Sequence, residues 1–535
     1  MKKLALVFVV LVLLAGAAGV LYLMGLPARV ASDLSVFLSD RTGRQVEIAG
    51  LGWSFTPGLH LEGEGIVVGN DRPGVPPLVE LGAFTLDASF GDLRASPRRI
   101  SAIRLDELRV HIARGGDEGG DEPSAPGSDQ AASPEPQATG TPVVIDGLVA
   151  ERVTLEIGSS DPTKGPRVFD IHQLTLDSLA LDREVGFEAA LTNPKPLGEV
   201  ETSGRFGPWN RARVADTPIS GVYEFTRADL SEFNGIVGLL DSTGRFGGTF
   251  GQIEAQGEAT IPDFQVTAGE VVPLDVTFEV GVGDNGGDVQ LRSVVTRFLD
   301  SVLDATGEVV RVEEADGRRV VVDVTAEDAR IEDLIRFALK GDTPPLTGQI
   351  DLVTRLEIPP GDDRPVVEKM LLEGEFDIEE ARFSNLNVQE TLTRISRIGA
   401  GGASSGESGT SVVSNLTGAF AMSEARLEFS RISFSIPGMA VRLVGTYGIR
   451  DGALDLGGEV RLDRAASELV PTDRLPDRVA PWVRLLDPLF QREEEPTGTV
   501  VPITITGTRS DPRFRVAVGE LMPDWRRLLE QFTGR

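Results

Sequence analysis

The stretch Leu427–Leu462, LEFSRISFSIPGMAVRLVGTYGIRDGALDLGGEVRL, decides the fold class. Apolar residues alternate with polar ones over most of its length, which is the period of a β-strand with one buried face. Pro437-Gly438 and Asp451-Gly452 interrupt the alternation, and Asp-Gly between alternating runs is a strong hairpin signal. The stretch predicts successive antiparallel strands that share one apolar face, with new strands beginning at Leu454 and again at Val460.

The same alternation recurs from Val46 to Ile112 and from Val143 to about Val324. The 61 Gly and 33 Pro lie largely between such runs, as in chains with many turns. We therefore expect a mainly β fold, an elongated, twisted antiparallel β-groove with an N-terminal transmembrane helix and a few short amphipathic helices. Helical spacing of apolar residues predicts those helices over residues 29–41, 227–240, 327–340, 386–398, 481–490 and 519–535.

Charge and cysteine content exclude several classes of function. The formal net charge is −30, and nucleic-acid binding needs clustered Lys and Arg, so nucleic acid is excluded as a partner. Broad adhesion to anionic lipid surfaces is disfavoured for the same reason. The chain has no cysteine, which rules out a disulfide framework, a thiolate metal site and a cysteine nucleophile.

The N-terminal segment predicts export with retention in a membrane. A charge-free run of 25 residues, Leu4–Ala28, follows Lys2-Lys3 and is long enough to cross a bilayer. The positive-inside rule then places the N-terminus in the cytoplasm and the bulk of the chain outside it. The alternative is a cleaved signal peptide ending near Ala15-Gly16-Ala17. Val20–Met24 prolong the apolar run beyond that point and favour an uncleaved anchor.

Changes in composition divide the chain into seven segments. Residues 115–142 contain no large apolar residue and can bury little, so we expect a dispensable, acidic disordered linker there. The division is 1–28, cytoplasmic end and anchor; 29–114, cap helix and start of the groove; 115–142, linker; 143–398, central groove with short helices; 399–411, Gly/Ser loop; 412–518, C-terminal β-region; and 519–535, terminal amphipathic helix.

No motif predicts catalysis, a metal ion or a cofactor. His60, His111 and His172 lie far apart in strand-like runs, without paired-ligand spacing. Residues 402–406 match G-x-S-x-G, but they lie in a Gly/Ser loop without the strand and helix that a nucleophile elbow needs. Residues 284–288, DNGGD, lie between alternating runs and predict a hairpin loop. We therefore expect a protein that is not an enzyme and has no cofactor.

A sheet with one apolar face must cover that face, and a large exposed patch indicates a partner. Acyl chains are suitable occupants of a curled apolar sheet. Arg442 and Thr446 have the opposite parity and are expected to face water. The candidate groove-lining residues are Phe429, Ile432, Phe434, Ile436, Met439, Val441, Leu443, Leu454 and Leu456.

Several stretches of the chain resemble the AsmA family of bacterial envelope proteins. The similarity is greatest toward the C-terminus. It is carried by the apolar run at the start with Thr42-Gly43-Arg44 and Val46–Ile48, by Leu61–Asn70, Ile100–Ile112, Ile331–Leu339 and Pro344–Gly348, and by Asn415–Phe429, Gly445–Val460, Asp487–Phe490 and Val501–Phe514.

The resemblance implies a single-pass inner-membrane protein with a periplasmic β-groove and no catalytic residues. It implies phospholipid and the inner membrane as partners, and allows outer-membrane or other envelope proteins as further ones. The implied function is lipid transport to the outer membrane, or homeostasis of that membrane. The alternative is a periplasmic scaffold, or a factor in outer-membrane protein assembly, whose sheet faces close on each other.

Overall fold

The computed structural model describes most of the chain after residue 43. It covers residues 44–112, 143–157, 166–384, 414–463 and 499–516, apart from 56–57, 71–75, 211, 267–268, 284–286, 313–314, 316, 342, 362–363, 437 and 510, together with Ser35 and Ser39. The chain divides into two compact units. The N-terminal unit comprises Met1–Glu232, Leu239–Ala259 and Gly281–Asn285, and the C-terminal unit comprises Phe233–Gly238, Thr260–Val280 and Gly286–Arg535.

Strands make up most of the described part of the N-terminal unit, as the alternating sequence predicts. A short helix, α1 (Phe90–Arg94), and a 3-10 turn at Val214–Asp216 interrupt them. The strands are β1 (Val46–Ser54), β2 (Leu59–Val68), β3 (Val79–Ala88), β4 (Arg98–Ile100), β5 (Ala102–Ile112), β6 (Val143–Ile157), β7 (Arg167–Leu179), β8 (Val185–Pro194), β9 (Leu197–Phe206), β10 (Pro218–Asp229), and, after β11 of the other unit, β12 (Leu239–Thr249).

The C-terminal unit is built in the same way. Its helices are α2 (Ile331–Ala338) and α3 (Val366–Lys369). Its strands are β11 (Ile236–Val237), β15 (Val289–Phe298), β16 (Ser301–Arg311), β17 (Arg318–Arg330), β18 (Leu346–Ile358), β19 (Leu371–Phe383), β20 (Ser414–Ser423), β21 (Arg426–Ile436), β22 (Met439–Gly448), β23 (Ala453–Leu462), β24 (Thr499–Thr508) and β25 (Pro512–Val516), and the units share β13 (Gln252–Val266) and β14 (Val271–Gly283).

Pairing is antiparallel between most neighbouring strands, with one exception that the sequence prediction missed. In the C-terminal unit β15 to β25 pair in chain order, each with the next. In the N-terminal unit β6 runs parallel to both β4 and β5. A parallel pair needs a long crossover connection, and residues 113–142 supply one. The expectation of an entirely antiparallel sheet is therefore wrong at this junction.

A bulge with the same sequence pattern ends β10, β17 and β19. The bulged residues Arg227, Asp328 and Glu380 have positive φ, at 54°, 54° and 51°. The pattern is Thr226–Leu230, Glu327–Ile331 and Glu379–Phe383, each with an almost fully buried alanine at its centre. Bulges of this kind end strand pairing and turn the chain out of the sheet.

The bulge corrects one helix prediction and shortens another. Residues 227–240 complete β10, form a 3-10 turn at Leu230–Glu232, and continue into β11 and β12. The apolar spacing there is helical, but Gly235 and Gly238 have positive φ, which a continuous α-helix does not allow. The helix expected over 327–340 begins only at Ile331, since the preceding residues still belong to β17.

Two strands expected at Leu454 and Val460 form a single strand, β23, because Gly457-Gly458 continues the ladder with β22. The hairpin expected at Asp451-Gly452 joins β22 to β23. Several other predictions fall outside the described residues, namely the anchor, the linker at 115–142, the Gly/Ser loop and the helices at 386–398, 481–490 and 519–535. Among the residues that the structure describes, no helix has the length and apolar character needed to cross a membrane.

Candidate functional site

One face of the N-terminal unit's sheet carries an unbroken cross-strand row of apolar residues and glycines. Each member is the register partner of the next, so their side chains share one face of the sheet. The row is Trp53, Leu61, Leu86, Ile103, Leu148, Leu176, Phe187, Gly204, Gly221 and Phe246.

The C-terminal unit has a second row of the same kind, from β17 to β24. It consists of Ala326, Leu352, Phe376, Gly418, Ile432, Leu443, Gly458 and Ile503. Within each unit, the amphipathic alternation that marks single strands therefore adds up to a continuous apolar face.

The opposite face of each sheet is charged and wet. In the C-terminal unit, Arg355 binds Asp323 at 2.8 Å on this face, beside the outward-facing Val353. In the N-terminal unit, Arg99 binds Asp146 at 2.7 Å, and this hydrogen bond raises the pKa of the guanidinium. Exposed pairs of this type contribute little stability, so the outer face mainly keeps the sheet soluble.

The apolar face is closed at one end of the N-terminal unit and accessible at the other. The row members on β2 to β7 are buried, with Leu86 and Leu148 each 1% exposed. From β8 to β12 the face is only half-buried, and we call this part the open floor. The open floor consists of Phe187, Leu191, Val200, Tyr223, Phe225 and Phe246.

The nine groove candidates named from sequence all lie in one apolar cluster of the C-terminal unit. Phe429, Ile432 and Leu454 are half-buried, whereas Val441 and Leu443 are 4% and 5% exposed. Four more candidates are buried as Val441 and Leu443 are, namely Phe434, Ile436, Met439 and Leu456. The sequence thus located the apolar face, but most of its candidates lie in the most tightly packed part.

The C-terminal unit's row is half-buried at β18 and β19, between the buried Ala326 of β17 and the buried Leu443 of β22. Leu352 and Phe376 are half-buried members of the second row, and neither was singled out from sequence. The ring of Phe376 lies over Gly418 of the next strand, where a Cβ would come within 2.4 Å of the ring. Rings laid over glycines in this way protect backbone that has no side chain of its own. As a result, the apolar surface is comparatively flat where Phe376 covers Gly418.

The helix α2 packs on this face through Ile331 and Leu334. Its position is fixed by Asp333, whose carboxylate accepts hydrogen bonds from the Ser301 hydroxyl at 2.9 Å and from the Asp300 amide at 3.0 Å. The helix is therefore part of the wall around the apolar face rather than a separate element.

A pair of hydroxyl groups interrupts the open floor. The Tyr223 hydroxyl lies 3.2 Å from Ser242 Oγ, which donates to the main-chain oxygen of Glu258 at 2.9 Å. Burial raises the pKa of Tyr223, and the hydrogen bond with Ser242 opposes that rise. The phenol therefore stays neutral at physiological pH, and the floor carries no charge here.

The three histidines are separated by the fold, each beside a carboxylate on the polar face. His60 Nδ1 lies 2.6 Å from Asp87, His111 Nδ1 lies 3.3 Å from Glu156, and His172 Nε2 lies 3.3 Å from Glu199. Within the described ranges, no group of three or more His, Asp or Glu side chains is placed to hold a metal ion. The hairpin expected around residues 284–288 falls between β14 and β15, with 284–286 outside the described residues.

The sequence contained a signal for the residues that were missed. Tyr223 and Phe225 alternate with Glu224 and Thr226 as Val441 and Leu443 do with Arg442, although Val222 interrupts the alternation before Tyr223. The stretch from Gly221 to Phe225 has a glycine and a tyrosine on its apolar face in place of aliphatic residues, so the pattern is less conspicuous. No protein-family model, curated protein or solved structure matches the chain.

Proposed function

We propose that this chain is an AsmA-like protein, anchored in the bacterial inner membrane, whose periplasmic sheet binds phospholipid acyl chains. In this role it takes part in lipid transport to the outer membrane, or in homeostasis of that membrane. The observation that supports the proposal is the pair of cross-strand apolar rows, each continuous over many strands and each partly accessible. The charged opposite face leaves one side of each sheet for acyl chains.

The physical reason is the transfer free energy of a lipid. A lipid that leaves a bilayer exposes its acyl chains to water at about 0.8 kcal/mol per CH₂ group, so two chains meet a barrier on the order of 20 kcal/mol. An apolar floor recovers much of that free energy, while the headgroup remains in water. The neutral Tyr223 hydroxyl fits such a floor, because a charged group there would have to be desolvated.

A pair of adjacent residues tests the proposal. Leu352 lies on the apolar face, and Val353 lies on the polar face with 62% of its surface exposed. Leu352→Asp is expected to reduce the phospholipid that co-purifies with the full chain by several-fold, whereas Val353→Asp leaves it unchanged. Native mass spectrometry measures the bound lipid, and circular dichroism checks that both variants remain folded.

Equal lipid content in folded Leu352→Asp and wild-type protein would refute lipid binding at this face. Absence of co-purifying phospholipid from the wild-type protein would refute the lipid-binding function as a whole.

A second function has one specific observation in its favour. Met439, Val441 and Leu443 are almost fully buried in the chain itself, as expected if this end is a dry core. A scaffold or assembly factor in the envelope would have such a core throughout. Half-burial of Leu352 and Phe376 favours the lipid-binding function instead, and the Leu352→Asp experiment separates the two, because a scaffold binds no phospholipid at this position.

A further inference from the structure

A stacked aromatic pair with one exposed ring lies beside the tip of the first hairpin. Phe55 follows β1, with half of its surface exposed. Its ring stacks on that of Phe90, the first residue of α1, with 6.4 Å between centroids and 25° between planes. Neither residue belongs to the N-terminal unit's apolar core, although β1 contributes Val46 and α1 contributes Leu93 to it. Phe90 is half-buried, so the apolar surface that a partner would cover is mainly the exposed part of Phe55.

Local contacts hold α1 and the turn after β1 against the N-terminal unit. Ser89 caps α1 by accepting a hydrogen bond from the Asp92 amide at 3.1 Å, and Leu93 is buried in the N-terminal core. The turn after β1 packs against the end of β3, since a Cβ on Gly58 would come within 2.7 Å of the Ala88 carbonyl oxygen. These contacts place the two rings side by side at this edge of the N-terminal unit.

Arginines accompany the rings in a chain that is otherwise strongly acidic. Residues 89–99 contain Arg94, Arg98 and Arg99 against the single acidic residue Asp92. Arg94 and Arg99 are exposed, Arg98 is half-buried, and Arg99 binds Asp146. Exposed Phe, Trp or Leu combined with Arg or Lys is typical of segments that lie in the interface of a bilayer. The chain as a whole carries a net charge of −30 and is repelled by an anionic bilayer. Outside the anchor, only a local cluster of positive side chains can therefore approach such a surface.

The segment before β1 has a suitable length for this contact. The Val46 amide donates to Ser39 Oγ at 2.9 Å, so the chain is fastened to the start of β1 from residue 39 onward. With the helix that the sequence predicts over residues 29–41, Ala28 lies about 17 Å from Ser39. The nine residues of β1 span about 30 Å, so a hairpin lying against the bilayer can place its tip at the surface.

We propose that the hairpin tip formed by Phe55, Phe90, Arg94 and Arg98 docks on the surface of the bilayer that holds the N-terminal segment. The contact orients the start of the sheet toward that bilayer. This inference rests on the anchored orientation in the proposed function, and it adds a second membrane contact made by the folded domain.

The absence of cysteine makes a site-specific test direct. Full-length Phe55→Cys and Val222→Cys proteins, each labelled with an environment-sensitive NBD fluorophore, are inserted into phosphatidylethanolamine–phosphatidylglycerol vesicles. Val222 is the matched control because it is 55% exposed in the same unit. We expect blue-shifted emission at position 55, with several-fold stronger quenching by doxyl-labelled lipid than at position 222. Adding Arg94→Glu and Arg98→Glu to the Phe55→Cys protein should remove most of the difference.

Each other outcome overturns the inference in a distinguishable way. Equal quenching at the two positions in protein that floats with the vesicles overturns the docking surface and leaves the proposed function intact. A blue shift at position 55 without quenching by doxyl lipid assigns the patch to a protein contact. A chain that does not float with the vesicles overturns the anchored orientation and this inference together.

Discussion

Arg509 Nη2 donates a hydrogen bond to the main-chain oxygen of Lys340 at 3.2 Å, although 169 positions separate the two residues. The Arg509 amide also donates to the Gly452 oxygen at 2.9 Å, which ties the β24–β25 tip to the β22–β23 tip. In the β22–β23 tip, Arg450 forms an ion pair with Glu368 of α3. The last hairpins of the C-terminal unit are thus fastened to the loop after α2 and to α3, and its sheet curls back on itself.

Loss of this contact should loosen the end of α2 without unfolding the sheet. Arg509→Ala removes a hydrogen bond worth about 0.5–1.5 kcal/mol, so amide exchange over residues 336–341 should accelerate by up to about tenfold. Hydrogen–deuterium exchange with peptide resolution measures this. Arg513→Ala is the control, because Arg513 contacts Asp511 within its own hairpin at 3.5 Å. Equal acceleration in both variants would show that the link does not hold α2.

The ring of Phe376 makes Gly418 a sensitive position. A Cβ at Gly418 would come within 2.4 Å of the ring and 3.0 Å of the Arg431 carbonyl oxygen. Since both neighbours have to shift, Gly418→Ala should lower the free energy of unfolding by about 1–3 kcal/mol. Chemical denaturation of the full chain measures the change.

Gly457→Ala is the matched control, because nothing lies within 4 Å of a Cβ there. At an open position with compatible backbone, Gly→Ala is neutral or stabilises by up to about 1 kcal/mol. A Gly418→Ala protein as stable as Gly457→Ala would mean that the ring does not rest on the backbone.

The parallel pairing of β5 and β6 sets a minimum length for the connection between them. Ile112 pairs with Ile157, so the chain must return along β6 to Val143, a distance of about 45 Å. At least 13 residues or so are needed even when fully extended. A four-residue Gly/Ser join in place of residues 115–142 should lower the thermal midpoint strongly, whereas a twenty-residue join should leave it unchanged. Equal midpoints would contradict the parallel register.

The parallel pairing of β5 and β6 limits the expectation that residues 115–142 are dispensable. Their composition predicts that they bury little, and that remains a prediction. Their length matters because of a strand pairing that no local pattern reveals: β5 alternates in the same way whether its neighbour is parallel or antiparallel. Period 2 fixes the face on which a side chain lies, but not the direction of the neighbouring strand.

The candidate site shows the same limit. Parity placed Val441 and Leu443 on the apolar face and Arg442 on the polar one, and the structure has them there. The lipid contacts were chosen by parity within Leu427–Leu462, and parity does not distinguish a buried apolar residue from an accessible one. Leu352 and Phe376 share the apolar face but are half-buried, a difference that depends on which other parts of the unit cover each strand.

Tyr223 should make stability fall at high pH. Its unfolded pKa is near 10, and burial raises the folded pKa above that value. Above about pH 10 the unfolded phenol loses its proton before the folded one, so stability decreases as pH rises. Tyr223→Phe should show a smaller decrease in thermal midpoint between about pH 8 and about pH 11. The two proteins losing the same number of degrees would exclude Tyr223 as the source.

The buried end of the apolar face should tolerate no charge. Val441 and Leu443 lie in the C-terminal core, so Val441→Asp with Leu443→Asp places two unpaired carboxylates there. Each is expected to cost several kcal/mol, enough to unfold the local sheet.

Arg442→Asp is the control on the intervening residue. Arg442 is exposed and lies opposite Glu459, so its replacement creates one exposed like-charge pair that costs about 1 kcal/mol or less. Circular dichroism and lipid co-purification on the same samples decide the outcome. A double variant that stays folded but carries no lipid would mean that Val441 and Leu443 line an accessible groove, and lipid contact would then extend to the C-terminal end of the face.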